Sequence, residues 1–228
     1  MSAPPKIAAL VLAAGRSERM RYPKTLLIFG KETVVDRVIR VCREGGCDPV
    51  MVLLGAEEAR IRENASLAGA TIVSHPDFAR GRTSTIHAGL RALPGEAEAF
   101  LLFPVDHALV ESTTVAALIA AREETRKPIV IPTSAGRRGH PILCDRAIAE
   151  ELLALEPDAP AREVVKRDPA RVLELEVEDA EILRDLDAPA DYHAALEVYS
   201  ARGGEAGFLA PKGAGRPAPK RPPYPERS

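Results

Sequence analysis

The residues with chemical potential begin where an apolar run stops. Ile7, Leu10, Val11 and Leu12 lead into Ala13, Ala14 and Gly15, then Arg16, Ser17, Glu18 and Arg19, with Lys24 a few positions on. Small residues after a buried strand let backbone N–H groups approach a ligand, and successive N–H groups in such a turn form an anion-binding concavity. Gly15 can take positive φ without penalty. Arg16, Arg19 and Lys24 add charge that backbone dipoles alone do not supply. The loop has neither the G-x-x-x-x-G-K-[ST] run of a P-loop nor the G-x-G-x-x-G of a dinucleotide fold. Composition alone also fits an ordinary strand-to-helix turn with solvated arginines.

Carboxylates follow other apolar stretches. Asp106 comes directly after Leu101, Leu102, Phe103, Pro104 and Val105. Asp185 and Asp187 alternate with Leu186 and would project to one side of an extended segment. The same Asp187-Ala188-Pro189 stretch also reads as a helix cap with Pro in the first turn. A phosphate seat together with carboxylates at strand ends suits Mg²⁺-dependent phosphoryl or nucleotidyl transfer. Mg²⁺ is held by one or two carboxylates plus substrate phosphates, and catalysis comes from positioning and charge neutralisation. The histidines show no zinc-like spacing; His107 and His140 fall in loops at the same end as Asp106. Gly81 to Ser84 offers N–H groups and hydroxyls at a helix start, either a second wall for the ligand or a simple cap.

An alternating chain must position these groups. Strands are expected at Ile7–Leu12, Pro49–Leu54, Ala70–Val73, Phe100–Phe103 and Ile129–Ile131, with helices near Thr33–Glu44, Glu57–Asn64, Ser112–Glu124 and Ala190–Tyr199. Thr83 or Ser84 is expected to cap another helix running to about Leu93. His140–Leu143 reads as a strand running against the others, followed by helices near Arg146–Leu155 and Ala161–Lys166. Val172–Val177 and Ile182–Leu183 are short strand candidates. The alternation implies an α/β fold, a three-layer αβα arrangement with a mostly parallel, Rossmann-like sheet. Ligands in such a sheet bind outside the carboxyl ends of the strands, where Gly15, Asp106, Asp185 and Asp187 all fall.

Composition limits the partners. The 228 residues carry a net charge of −2, and only 4% are aromatic with no Trp. That gives no global drive toward nucleic acid or anionic membrane and no base-stacking surface. No apolar run approaches the length of a membrane span, and the start is too soon charged for a signal peptide. Of three cysteines without a C-x-x-C pair, Cys42 and Cys144 read as small buried hydrophobes in a reducing, cytoplasmic setting. Residues 1–200 are expected to form the domain, and 201–228, rich in Gly, Pro, Lys and Arg, a disordered basic tail.

The motifs LAAGRSERM with Lys24, Gly81-Arg82-Thr83-Ser84 ending in Ala88-Gly89-Leu90, Pro104-Val105-Asp106-His107, Gly139-His140-Pro141 and Asp185-Leu186-Asp187-Ala188-Pro189 resemble, in this order, those of the MobA-like nucleotidyltransferase family. Within it they are most similar to the molybdenum cofactor cytidylyltransferases, the Ser17 form of the loop favouring the cytidylyl over the guanylyl branch. The resemblance implies a nucleotidyltransferase fold of the nucleotide-diphospho-sugar type that binds a nucleoside triphosphate and Mg²⁺. It implies transfer of CMP from CTP to the phosphate of a molybdopterin-type acceptor with release of pyrophosphate, and a molybdoenzyme apoprotein as a further partner. Leu12, Ala13, Ala14, Gly15, Arg16, Ser17 and Lys24 would bind the nucleotide, and Arg82 and Ser84, with His140, would line its base or the acceptor side. Arg19 and Lys24 would neutralise the leaving pyrophosphate, and Asp106 with Asp185 or Asp187 would hold the metal. A sugar- or alditol-phosphate nucleotidyltransferase and a non-catalytic molybdenum-cofactor chaperone are the alternatives. Three departures stand out: Arg21 where the family usually has Gly, Ala108 for Pro, and Ala188 and Ala190 for Thr and Glu.

Overall fold

The computed structural model describes residues 6–204. β1 (Ile7–Ala13) leads through the cation-bearing loop to a small hairpin, β2 (Ile28–Phe29) and β3 (Glu32–Thr33), and into α1 (Val34–Glu44). β4 (Val50–Leu54), α2 (Glu58–Asn64), β5 (Ala70–Ser74), α3 (Arg82–Arg91) and β6 (Ala99–Pro104) continue the alternation. Next come α4 (Ser112–Thr125), β7 (Ile129–Ser134), the two-residue β8 (Arg137–Arg138) and β9 (Ile142–Asp145). α5 (Ile148–Leu153), α6 (Arg162–Arg167), β10 (Val172–Glu176) and α7 (Pro189–Ala201) follow. The expected tail lies, from residue 205 on, outside the described residues. Among the described residues no helix is long and apolar enough to cross a membrane.

The main sheet runs β10-β7-β9-β6-β1-β4-β5, with β8 paired to β7. β1 is parallel to both β4 and β6, and its alternate residues enter two separate cores. Ala9, Val11 and Ala13 pack with α1, α4 and α7, whereas Ala8 and Leu10 pack with α3, α5 and α6. Those two cores are the faces of a three-layer αβα sandwich. A strand covered on both sides needs apolar residues at nearly every position, which is why β1 shows no hydrophobic alternation. Leu12 pairs with Leu53 on one side and Pro104 on the other, so β1, β4 and β6 end level at one edge of the sheet. β9 is the reversed strand, antiparallel to β6 and β7.

Local expectations hold at α1, where the Thr33 side chain accepts the Asp36 N–H. They fail in two places. α3 starts at Arg82 behind Gly81, so Thr83 and Ser84 lie inside the helix and do not cap it. Gly81 has φ 130°, and a Cβ there would sit 2.4 Å from the Pro157 carbonyl oxygen, so the turn is shaped by close approach and by backbone freedom. Ile182–Leu183 is no strand but part of a 3₁₀ turn, Ala180–Leu183, begun by Asp179 accepting the Glu181 N–H. Gly15 does not take positive φ; the left-handed residues of its loop are Ser17 at 53° and Arg21 at 54°.

Candidate active site

The loop after β1 is pinned from below. Met20 is wholly buried, and the 3₁₀ turn Glu18–Met20 is bracketed by left-handed Ser17 and Arg21. Arg21 thus occupies a backbone conformation that disfavours Cβ-bearing residues, which gives a physical reason for Gly at that position elsewhere. The Ser17 hydroxyl accepts the Lys24 N–H at 3.1 Å and folds the segment back on itself. A Cβ built on Gly15 would meet nothing within 4 Å. Its missing side chain therefore leaves room above the loop and relieves no crowding.

Asp106 and Asp187 converge on this loop. The Val105 N–H donates to the Leu12 carbonyl at 3.2 Å, setting the end of β6 beside the end of β1. The Leu186 N–H donates to the Asp106 carbonyl at 3.1 Å, drawing the segment before α7 alongside. Leu186 is buried there. Asp191, in the first turn of α7, accepts the N–H groups of Asp187 and Ala188 at 3.0 and 2.7 Å. That capping task falls to Asp191, so the Asp187 carboxylate is left for the cations. Lys24 Nζ donates to Asp187 at 2.6 Å and to Asp106 at 3.3 Å, and Arg19 pairs with the other Asp187 oxygen. The Lys24 hydrogen bond, with the charges of Lys24 and Arg19, holds the Asp187 carboxyl below the usual range against partial burial. Asp185 is exposed and lines no part of the cavity, so the extended-segment expectation of two carboxylates on one side is corrected to one.

A cavity of about 1350 Å³ opens over this cluster. Leu12 to Arg19, Lys24, Phe78, Arg82, Asp106, His140 and Asp187 all line it, so the structure gathers nearly every predicted residue into one space. Ser84 is the exception among the nucleotide-binding candidates. Its hydroxyl donates to the Gly81 carbonyl at 2.6 Å and meets His75 Nε2 at 2.9 Å, which ties down the turn behind the wall. Thr83 and Thr85 reach the wall instead. Sequence reasoning also missed Phe78, whose ring carries the Arg16 guanidinium 5.5 Å from its centroid. The only signal for it was an aromatic residue in an otherwise polar loop.

His140 is placed by Gly139, where a Cβ would lie 2.5 Å from the Ile182 carbonyl oxygen, and the His140 N–H donates to that same oxygen at 3.0 Å. Its ring lies 4.9 Å from that of His107. Burial, and then the neighbouring His107, push the His140 imidazole down to about 4; burial lowers His107 as well. Both rings are therefore neutral at pH 7. His75 and His87 are buried and hydrogen-bonded inside the fold, as structural histidines. Cys42, Cys47 and Cys144 are free and buried, and burial pushes the thiols of Cys47 and Cys144 up to about 12.

The donor set around Lys24 consists of carboxylate oxygens of Asp106 and Asp187 that already face two cations, the Lys24 ammonium and, at Asp187, the Arg19 guanidinium. Among the described residues no group of three or more His, Cys, Asp or Glu is placed to hold a metal. Two convergent carboxylates suit a hard divalent cation that takes its other ligands from water and phosphate.

Comparison with known proteins bears on the family and the fold. Over 190 residues the chain is 28% identical to nicotine blue oxidoreductase of Paenarthrobacter nicotinovorans, covering 80% of this chain and 93% of that protein. It is 25% identical over 195 residues to molybdenum cofactor cytidylyltransferase of Escherichia coli K12, covering 85% and 97%. The crystal structure of Rv0371c from Mycobacterium tuberculosis H37Rv superposes with a TM-score of 0.76 at 29% identity, over 86% of this chain and all of that one. In its complex with manganese the same protein gives 0.72 at 28% identity, over 84% and 98%. The sequence profile of the MobA-like NTP transferase domain matches residues 9–172, most of the sandwich with the first loop and Asp106, and the chain belongs to that family.

Proposed function

We propose that this nucleotidyltransferase moves CMP from CTP onto the phosphate of a molybdopterin-type acceptor, releasing pyrophosphate, with Mg²⁺ as cofactor. The observation that carries the reading is Lys24 Nζ seated between the carboxylates of Asp106 and Asp187, at the mouth of a loop rich in backbone donors. An acceptor phosphate oxygen attacks the α-phosphorus, the bond from that phosphorus to the bridging oxygen breaks, and the electron pair leaves on pyrophosphate. An ammonium has three protons, and two are engaged by Asp187 and Asp106, so the third is available to a phosphate oxygen. The Arg19 guanidinium is mostly exposed and spends one donor on Asp187, leaving the rest of its fork for the leaving group. Gly15 and its neighbours leave open space for the triphosphate, and Leu12, Ala13 and Ala14 offer a small apolar shelf for the nucleoside. A divalent cation on Asp106 and Asp187, when bound, supplies charge neutralisation at the reacting phosphates.

A chaperone that only carried a cofactor would have no use for a lysine pinned between two carboxylates. Similarity to both a cytidylyltransferase and an oxidoreductase leaves the acceptor to experiment. Pyrophosphate release is measured with Mg²⁺ and each NTP, with molybdopterin, with a sugar or alditol phosphate, and with no acceptor. The expected result is release with CTP and molybdopterin, lost on adding EDTA and restored by Mg²⁺ or Mn²⁺. Release only with an alditol or sugar phosphate replaces the acceptor, and none with any pair sinks the transfer reading.

A further inference from the structure

Away from Lys24 and Arg19, the cavity wall carries a second set of cations. Arg82 stands at the start of α3, and Arg162 and Lys166 lie one helical turn apart on α6. All three line the cavity. None forms an ion pair among the described residues, although other cations nearby do. Arg167, on the same helix as Arg162 and Lys166, pairs with Glu151 at 3.3 Å, and Arg138 on the cavity wall pairs with Glu174 at 2.6 Å. Asp158 is the acid on this stretch of wall, and it makes no salt bridge to any of the three.

The start of α3 is stapled to the loop that precedes α6. The Ser84 N–H donates to the Pro157 carbonyl at 3.0 Å, and the Thr83 hydroxyl donates to the Ala159 carbonyl at 2.5 Å. Gly81 has no side chain where Pro157 presses against it. This docking fixes the loop that leads into α6 against the start of α3, and Arg82, Arg162 and Lys166 line the same cavity. Arg82 and Arg162 are each the first residue of a helix, where the macrodipole disfavours a cation. α3 has no acidic residue in its first turn to offset this, whereas α6 has Glu163. The three cations thus share one cavity wall with no ion-pair partner among the described residues.

We propose that Arg82, Arg162 and Lys166 form a second anion-binding subsite, which holds an anionic group of the acceptor other than the attacking phosphate. The inference rests on the transferase reading and deepens it: the acceptor is a polyanion. Arg82 then belongs to the acceptor, one of the two sides that its sequence position left open.

The test uses the full chain with Mg²⁺ and α,β-methylene CTP, which fills the triphosphate seat without turnover. Inorganic phosphate is then titrated and followed by ³¹P NMR. The wild type should bind phosphate beside the analogue. Arg82→Gln should weaken that binding, and Arg162→Gln combined with Lys166→Gln should weaken it about tenfold or more, with affinity for the analogue unchanged. The subsite is overturned if phosphate affinity is the same in variants and wild type, or if the wild type binds none beside the analogue. A parallel fall in analogue affinity also overturns it, because the cations then serve the triphosphate. Should the wild type fail to bind the analogue, the transferase reading fails separately. The same phosphate titration on the unloaded protein then decides the subsite by the same comparison of variants.

Discussion

Lowering the pH from 7 to 5 should weaken the fold through a single wall residue, His140. Its imidazole is pushed from an ordinary 6.5 to about 4 by burial and by the adjacent His107. The unfolded chain binds this proton more readily than the folded one, so His140 favours folding fully above pH 6.5 and progressively less as the pH falls toward 4. Linkage over that interval gives a loss of about 2 kcal/mol between pH 7 and pH 5. Against a typical stability of about 5–15 kcal/mol, such a loss is easily measured. Urea unfolding at both pH values, for wild type and His140→Gln, isolates the effect. The wild type should lose about 2 kcal/mol more than the variant on acidification. Equal losses in the two proteins would refute the argument, since the ring would then be solvated enough to titrate normally. His107 is lowered in the same direction but is present in both proteins.

Three further outcomes follow from the site. Asp106→Asn and Asp187→Asn should each reduce pyrophosphate release by about 10²–10³-fold with the far-ultraviolet circular dichroism unchanged; full activity in either removes that residue from the metal site. Lys24→Met should raise the pH at which the Asp187 carboxyl titrates, read by NMR of labelled aspartate, because the largest influence holding it down is gone. An unmoved titration would mean that Arg19 alone suffices. Gly81→Ala, at φ 130° with its new Cβ against Pro157, should destabilise the protein by about 1–3 kcal/mol in chemical denaturation, and a neutral result would show that the docked turn yields freely.

Much of this was readable from residue order. Strands β1, β4 and β6 are buried on both faces, and their unbroken apolar runs announce both the strands and the polar residues at their ends. What escaped was set by tertiary docking. The start of α3 depends on Gly81 fitting against Pro157, which lies far along the chain and leaves no periodic trace near Thr83. The parting of Asp185 from Asp187 follows from Leu186 being drawn in by the Asp106 carbonyl and from Asp191 taking over the cap. Ile182 looks like strand sequence because it is apolar, yet it is buried as a plug beneath Gly139. Arg162 and Lys166 read as ordinary solvated helix residues until α6 is seen on the cavity wall.

The carboxylate that neutralises Lys24 and Arg19 is separated from them by 163 and 168 residues of chain. During synthesis, then, the first loop emerges early but stays without this counter-charge until nearly the whole sandwich has been translated. Contacts of such long sequence separation form late, since the chain between them must first be ordered. A nascent or truncated product lacking the segment before α7 would expose a bare cationic loop, able to hold phosphates but missing half of its proposed metal seat. On the proposed reading, completion of the fold and the onset of chemistry would be coupled, since an unfinished chain would lack Asp187.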